Sequence, residues 1–259
     1  MNTKDTIQQI KTNGYPLDFS AVFNQTFENY KKIALNSGLA MILLTILFCF
    51  FFGILAVGVF GLAISAETMA DFKVENLSPI WFVGYLFFIM VLCILASPIN
   101  AGLIKMARSA QHGEAFSVLT IFDYYRGPYF KEIVMATVVI TFFSTTLSMG
   151  LQWVGFPILG MLISFSVSIL TFLTLPLIIF GNLNAMEAIE GSIVAVSKQF
   201  LLLFALLIVG FIFVMLGFIG FCVGIFFTMP FMYSMYYIIY REIFTDHPQT
   251  DTNDTLTTL

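Results

Sequence analysis

Ile133 to Met186 reads IVMATVVITFFSTTLSMGLQWVGFPILGMLISFSVSILTFLTLPLIIFGNLNAM and holds no charged side chain. A hydrocarbon core of about 30 Å is crossed by roughly 20 helical residues, so a run of this length is two crossings with a turn between them. Gln152, Trp153, Gly155 and Pro157 supply the turn residues. The spacing predicts one span over about 133–151 and a second over about 158–181.

The rest of the chain repeats this arrangement. Ile33 to Ala66 is free of ionisable residues and accommodates a first span, which the charged loop Glu67 to Glu75 ends. A second span follows over about 80–104, with Trp81 at the membrane–water boundary, where its ring is favoured. The uncharged run Gln199 to Tyr240 would make a single helix of about 60 Å, too long for one crossing. It is expected to fold back near Gly217 and Gly220, giving spans over about 193–216 and 221–243. The expected fold class is therefore all-α: a polytopic transmembrane helical bundle of six spans arranged as three hairpins, about 34–105, 132–181 and 193–243.

Each hairpin is preceded by a more polar segment and carries a proline late in its second span, at Pro98, Pro176 and Pro230. This threefold pattern marks an internal repeat. In the first polar segment, 17–33, Phe19, Val22, Phe23, Phe27, Tyr30 and Ile33 recur at three- and four-residue steps, as on a helix lying along the membrane surface. Segments 114–131 and 184–198 give rougher versions, the former broken at Gly127 and Pro128. Residues 1–245 are thus read as one transmembrane domain. The remaining 246–259, acidic and rich in Thr and Asn, have too little apolar surface to fold.

Composition agrees: 59% of residues are hydrophobic and 10% charged, against about 25% charged in soluble domains. Basic residues resist translocation. Lys4, Lys11, Lys31, Lys32, Lys105, Arg108, Arg126, Lys131, Lys198 and Arg241 all fall on one side of a six-span arrangement, and Lys73 on the other. Both termini are therefore expected in the cytoplasm, with the protein in a bacterial inner membrane and its polar N-terminus an uncleaved lead to the first span. Nine of the tyrosines lie toward that same side and read as an aromatic belt.

Absences exclude several functions. The spans hold no ionisable residue of the kind pumps and ion channels use. His112 and His247 are the only histidines, too few for a multi-histidine metal centre. No phosphate-binding loop or nucleophile elbow occurs, and no basic arm could hold nucleic acid. Cys49, Cys93 and Cys222 lie within apolar runs without CxxC spacing. Four carboxylates, Asp123, Glu132, Glu187 and Glu190, could hold a metal or act at a lipid headgroup, but solvated surface acids account for them.

Two hydroxyl stripes are the candidate polar site. Thr137, Thr141, Ser144, Thr145 and Ser148 follow at helical spacing on the third span, and Ser164, Ser168 and Thr171 on the fourth. Close helix packing explains such stripes, and a weakly polar path for an amphiphile is the alternative. The prolines bend their spans; where three bends meet, a hinge or vestibule is the sharper reading.

The stretch Ala188-Ile189-Glu190-Gly191-Ser192, with Val196, Lys198, the apolar run after it and Pro230, resembles a pattern in uncharacterised six-helix bacterial integral membrane proteins. These are similar to the membrane domain attached to some glycerophosphodiester phosphodiesterases. The resemblance implies a helical bundle and no catalytic residue. The expected role is a non-enzymatic scaffold or accessory subunit, without cofactor or metal, engaging membrane lipids, another membrane protein or a second copy of the chain. A carrier or flippase-like protein for a lipid or small apolar molecule is the alternative, and an interfacial enzyme the third.

Overall fold

The computed structural model describes residues 3–60, 79–220 and 223–245. Regular structure among them is entirely helical: α1 (Thr3–Asn13), α2 (Phe19–Phe60), α3 (Pro79–His112), a 3-10 segment (Val118–Tyr125), α4 (Tyr129–Trp153), α5 (Pro157–Thr171), α6 (Thr174–Ile179), α7 (Ala185–Lys198), α8 (Phe200–Leu216), a 3-10 turn (Gly217–Gly220), α9 (Gly224–Thr228) and α10 (Pro230–Phe244). Among the described residues five stretches are long and apolar enough to cross a membrane: Phe19–Ile54, Leu86–His112, Tyr129–Trp153, Pro157–Ile179 and Phe200–Ile219. Leu43, Ile46, Phe50, Phe143, Met161 and Phe211 turn large apolar side chains outward, a surface suited to lipid and not to water.

The two long uncharged runs fold back as their composition requires. α4 and α5 lie against each other across a turn in which Gly155 adopts φ 92°, a conformation that glycine reaches without steric cost. Their backbones touch farther along, since a Cβ on Gly160 would stand 2.5 Å from the Ser148 carbonyl oxygen. The second reversal falls on the expected glycines, but the tight pair is Gly217 with Gly224. A side chain on Gly217 would strike the Thr228 hydroxyl, and one on Gly224 the Gly217 carbonyl.

Expectations about the first two polar segments and the last span are corrected. The first segment is no separate surface helix: it runs without interruption into the span, as 42 residues of one helix. Nothing between Phe19 and Phe60 breaks helical geometry, since proline is absent and the run holds good helix formers. Its buried face is also rotated. Val22, Thr26, Asn29, Ile33, Ser37 and Ala40 are completely buried, while Phe19 and Phe27 are exposed. The second segment, 114–131, carries a 3-10 element over Val118–Tyr125 and no surface α-helix, its last residues opening α4; the 3-10 element lies on α3 at Gly102, where a Cβ would come 2.5 Å from Ile121 Cα. The last expected span is broken, with α9 and α10 separated at Pro230. The expected span boundary at 221–222, the loop containing Lys73 and the tail 246–259 lie outside the described residues.

Packing is uneven along the bundle. No described side chain between Met41 and Ile54 of α2, or between Thr137 and Trp153 of α4, is fully buried. The core gathers instead at the end where α1, the start of α2, the end of α3, α7 and the end of α10 meet. Its fully buried members include Ile33, Ile133, Leu177, Phe231, Met235 and Ile238.

A buried amide ties this end together. Asn29 Nδ2 donates to the Ala107 carbonyl at 2.8 Å and to Gln111 Oε1 at 3.2 Å, and its Oδ1 accepts from the Ser234 hydroxyl at 2.8 Å. One side chain thereby links α2, α3 and α10. Removing a buried partner leaves the other group unsatisfied, at a cost of about 1–3 kcal/mol. Asn29→Ala is expected to lower the thermal unfolding midpoint of the detergent-purified protein, and Gln8→Ala on exposed α1 to leave it unchanged.

Candidate functional site

The three prolines remove three helical N–H donors, each from an apolar stretch where water is absent. The chain answers the loss differently at each. At Pro98 the helix continues, and the Ser97 hydroxyl donates at 3.1 Å to the Ile94 carbonyl, the group that residue 98 would otherwise serve. Ahead of Pro176, which lies in α6, the helix parts at Phe172 and Leu173. Buried Ser192 of α7 fills in there, accepting from Leu173 N at 3.2 Å and donating to the Leu170 carbonyl at 2.8 Å. At Pro230 the proline opens α10, a position where a missing N–H costs nothing.

The bends meet around a single space. A cavity of about 580 Å³ lies among α3, α4, α5, α6, α8, α9 and α10. Ser97, Leu175 and Met229, the residues immediately before the three prolines, all line it. The prolines recur at separate points of the sequence, and the structure brings their neighbours to one cavity.

The hydroxyl stripe divides between two surroundings. Thr137, Thr141, Ser168 and Thr171 line the cavity, whereas Ser144, Thr145, Ser148 and Ser164 do not. Ser148 belongs to the α4–α5 contact, where it meets Gly160, and within α5 the Ser164 carbonyl accepts from the Ser168 hydroxyl at 3.0 Å. Thr145 donates to the Thr141 carbonyl. Among the lining residues, Thr137 donates to the Ile133 carbonyl at 2.8 Å and Thr171 to the Val167 carbonyl at 2.7 Å. Such bonds to the preceding turn leave the hydroxyl oxygen facing outward as an acceptor.

Polar groups that the stripe did not include complete the wall. Tyr233 donates to Asn100 Oδ1 at 2.9 Å, which leaves the Asn100 amide hydrogens without an acceptor among the described residues. Thr174 also lines the cavity. Its residue is 2% exposed, and its buried hydroxyl has no hydrogen-bond partner. A buried hydroxyl left unpaired is unfavourable and rare in folded proteins. The signal for Thr174 was legible only as a hydroxyl two residues before a proline.

A second space of about 220 Å³ adjoins the first between α5, α8 and α10. The two share Ser168, Phe172, Phe211, Met232 and Tyr236. Beyond this shared wall the lining is wholly apolar, with Phe165, Ile169, Phe204, Leu207 and Ile208. Phe165, Ile208 and Phe211 are exposed on the outer face, so the smaller space reaches the side of the bundle.

The four candidate carboxylates are dispersed and individually occupied. Lys105 Nζ stands 2.7 Å from Asp123, Lys4 Nζ 2.6 Å from Glu187 and Lys11 Nζ 3.9 Å from Glu190. Glu132 accepts at 2.8 Å from the N–H of Ala185, at the first turn of α7, where a carboxylate complements the helix dipole. Among the described residues no cluster of His, Cys, Asp and Glu is arranged for a metal ion. No protein-family model, curated protein or solved structure matches the chain.

Of the nine tyrosines expected as a surface belt, three turn inward and six are half-buried. Tyr15, Tyr237 and Tyr240 are buried. Tyr15 donates at 2.9 Å to the Ala195 carbonyl, and burial pushes its phenol up from the ordinary value. Its ring packs in the core because the chain after α1 turns back onto α7, where Gln199 Nε2 also donates to the Tyr15 carbonyl at 2.9 Å.

Helix α1, polar enough to read as a tail, is thus fastened to α7 by a tyrosine, two ion pairs and buried Ile10. The hydrogen bond from Lys4 holds the Glu187 carboxyl below its ordinary value of 4.5. A lowered carboxyl favours the docked state above that ordinary value and loses the contribution as pH falls through the lowered one. A spin label at Gln9 is expected to be immobile at pH 7 and to gain mobility only below about pH 4.5; Glu187→Gln is expected to raise its mobility already at pH 7.

Proposed function

We propose that this chain is an integral protein of the bacterial inner membrane that binds and carries a lipid or small apolar molecule in the cavity at the three proline bends, without an enzymatic step. The observation that carries the proposal is the Thr174 hydroxyl, buried and unpartnered in the cavity wall. A volume of about 580 Å³ falls within the range of about 300–1,000 Å³ usual for small-molecule sites, and a mostly apolar lining with a few polar groups is their usual chemistry.

Carriage takes precedence over the scaffold role, which would use exposed tyrosines to engage headgroups or a membrane-protein partner. Tyr15, Tyr237 and Tyr240 are buried and the other six are only partly exposed, which reduces that surface. The likeness to phosphodiesterase membrane domains contributes a helical bundle to this reading and no activity.

The proposal includes six crossings, with the broken α9–α10 segment as the sixth and both termini in the cytoplasm. Support comes from the meeting of α1, the end of α3, α7 and the end of α10 at one end, which gathers Lys4, Lys11, Lys105, Arg108 and Arg241 there. Reporter tags at Gln111 and Asp251 are expected on the same, cytoplasmic face, and a tag at Gly155 on the opposite one. Tags at Gln111 and Asp251 reporting opposite faces would contradict the six-crossing arrangement.

Ala136 is 1% exposed and lines the cavity, so a larger side chain there intrudes into it. Lipid co-purifying with the detergent-solubilised protein, measured by native mass spectrometry, is expected to fall at least about tenfold in Ala136→Phe, a loss of roughly 1.4 kcal/mol of binding or more. Equal lipid content in a well-folded Ala136→Phe protein would refute the cavity as the binding site.

A further inference from the structure

Resting on the cavity reading, we propose that its occupant is an amphiphile with one acyl or alkyl chain and an uncharged headgroup bearing hydroxyl or carbonyl oxygen. The polar groups on the wall define the head. The Asn100 amide hydrogens and the Thr174 hydroxyl have no acceptor among the described residues. Thr137 and Thr171 already donate to their own helix and present oxygen. Donors and acceptors on facing elements suit a head that can both accept and donate hydrogen bonds, as a glycerol ester or an alcohol does.

Among the described residues no Lys, Arg, His, Asp or Glu lines either space. On α3 just past Ile104, Lys105 is engaged with Asp123 at 2.7 Å and Arg108 with Glu114 at 3.7 Å, and Glu132, one turn before Ala136 on α4, accepts from Ala185 N. A phosphate, carboxylate or ammonium head would be taken out of water with no counter-charge to meet it, which is strongly unfavourable. The wall therefore selects against charged lipids of either sign.

The shape of the two spaces defines the tail. The smaller one, about 220 Å³, begins at the shared wall and has only apolar side chains beyond it. It runs between α5 and α8 toward Phe165 and Phe211 on the outer face. A single chain fits that lobe with its end toward the surrounding bilayer and its head at Thr174 and Asn100. Two chains would need a second apolar lobe leading from the same wall, and the other large apolar space, about 510 Å³ between α2 and Ile99 of α3, shares no lining residue with the cavity.

Cys93 also lines the larger space and serves as a reporter of occupancy. In purified protein with Cys49→Ala and Cys222→Ala, the rate of Cys93 alkylation by a small maleimide is measured against increasing monooleoylglycerol, oleate and oleylamine at pH 8. Monooleoylglycerol is expected to slow alkylation, with half-protection at a concentration at least about tenfold below that of either charged lipid. Thr174→Val keeps the side-chain shape and removes the unpaired hydroxyl. It is expected to leave the thermal midpoint unchanged or raised while weakening protection by monooleoylglycerol about fivefold to tenfold, the worth of one hydrogen bond.

Oleate or oleylamine protecting as well as monooleoylglycerol would overturn the uncharged-head class and leave the cavity reading in place. A lowered thermal midpoint with unaltered protection in Thr174→Val would assign the hydroxyl to folding and overturn its place in the site. If none of the three lipids protects while Ala136→Phe still loses co-purifying lipid, this ligand class alone falls. If none protects and Ala136→Phe loses nothing, the cavity reading falls with it.

Discussion

A helix in hydrocarbon must satisfy its own backbone, and proline is the one residue that prevents it. Three prolines in this chain impose that constraint, and the architecture around them follows from how each missing donor is handled. Ser97 covers the carbonyl before Pro98 from its own helix, so α3 bends without breaking. Ahead of Pro176 the helix parts at Phe172 and Leu173, and Ser192 reaches across from α7 to the Leu173 N–H and the Leu170 carbonyl. Pro230 simply begins a new helix. Bent and broken segments cannot pack flush, and the space they leave is the cavity that Ser97, Leu175 and Met229 line.

The same economy separates packing from site along the hydroxyl stripe. Where α4 and α5 approach at Ser148 and Gly160, the contact is too close for any side chain on the glycine. There the small residues permit helix contact, as they do generally in membranes. Nearer the prolines the helices diverge, and Thr137, Thr141, Ser168 and Thr171 face the open volume. One sequence pattern therefore does two jobs, divided by the distance between the helices that bear it.

The class of fold was legible because it rests on long-range composition. The uncharged run after Ile133 has to be helical, has to turn, and turns at Gly155. Proline positions were legible too, though not that their bends share one space, since that depends on how separate hairpins dock. The buried face of α2 was misread for a physical reason. The large apolar residues Phe19 and Phe27 point outward, as a lipid surround allows, while the inward stripe carries small and polar side chains at the same three- and four-residue spacing. In water apolarity marks the inside of a helix; in a membrane it marks either side. Thr26, Asn29 and Ser37, spaced along that stripe, were the available signal. Helix α1 escaped because its few apolar residues, Ile7 and Ile10, gain their meaning only against Gly191 and the core of α7.

The cavity stands or falls on whether the proline bends hold it open in a bilayer. A cryo-electron microscopy reconstruction of the protein in a lipid nanodisc measures this most directly. The account predicts an elongated density that begins beside Thr174 and Asn100 and runs between α5 and α8 toward Phe211, with the side chains around it in place. A collapsed interior, with α4, α5 and α10 side chains filling the space between Ser97, Leu175 and Met229, would contradict it.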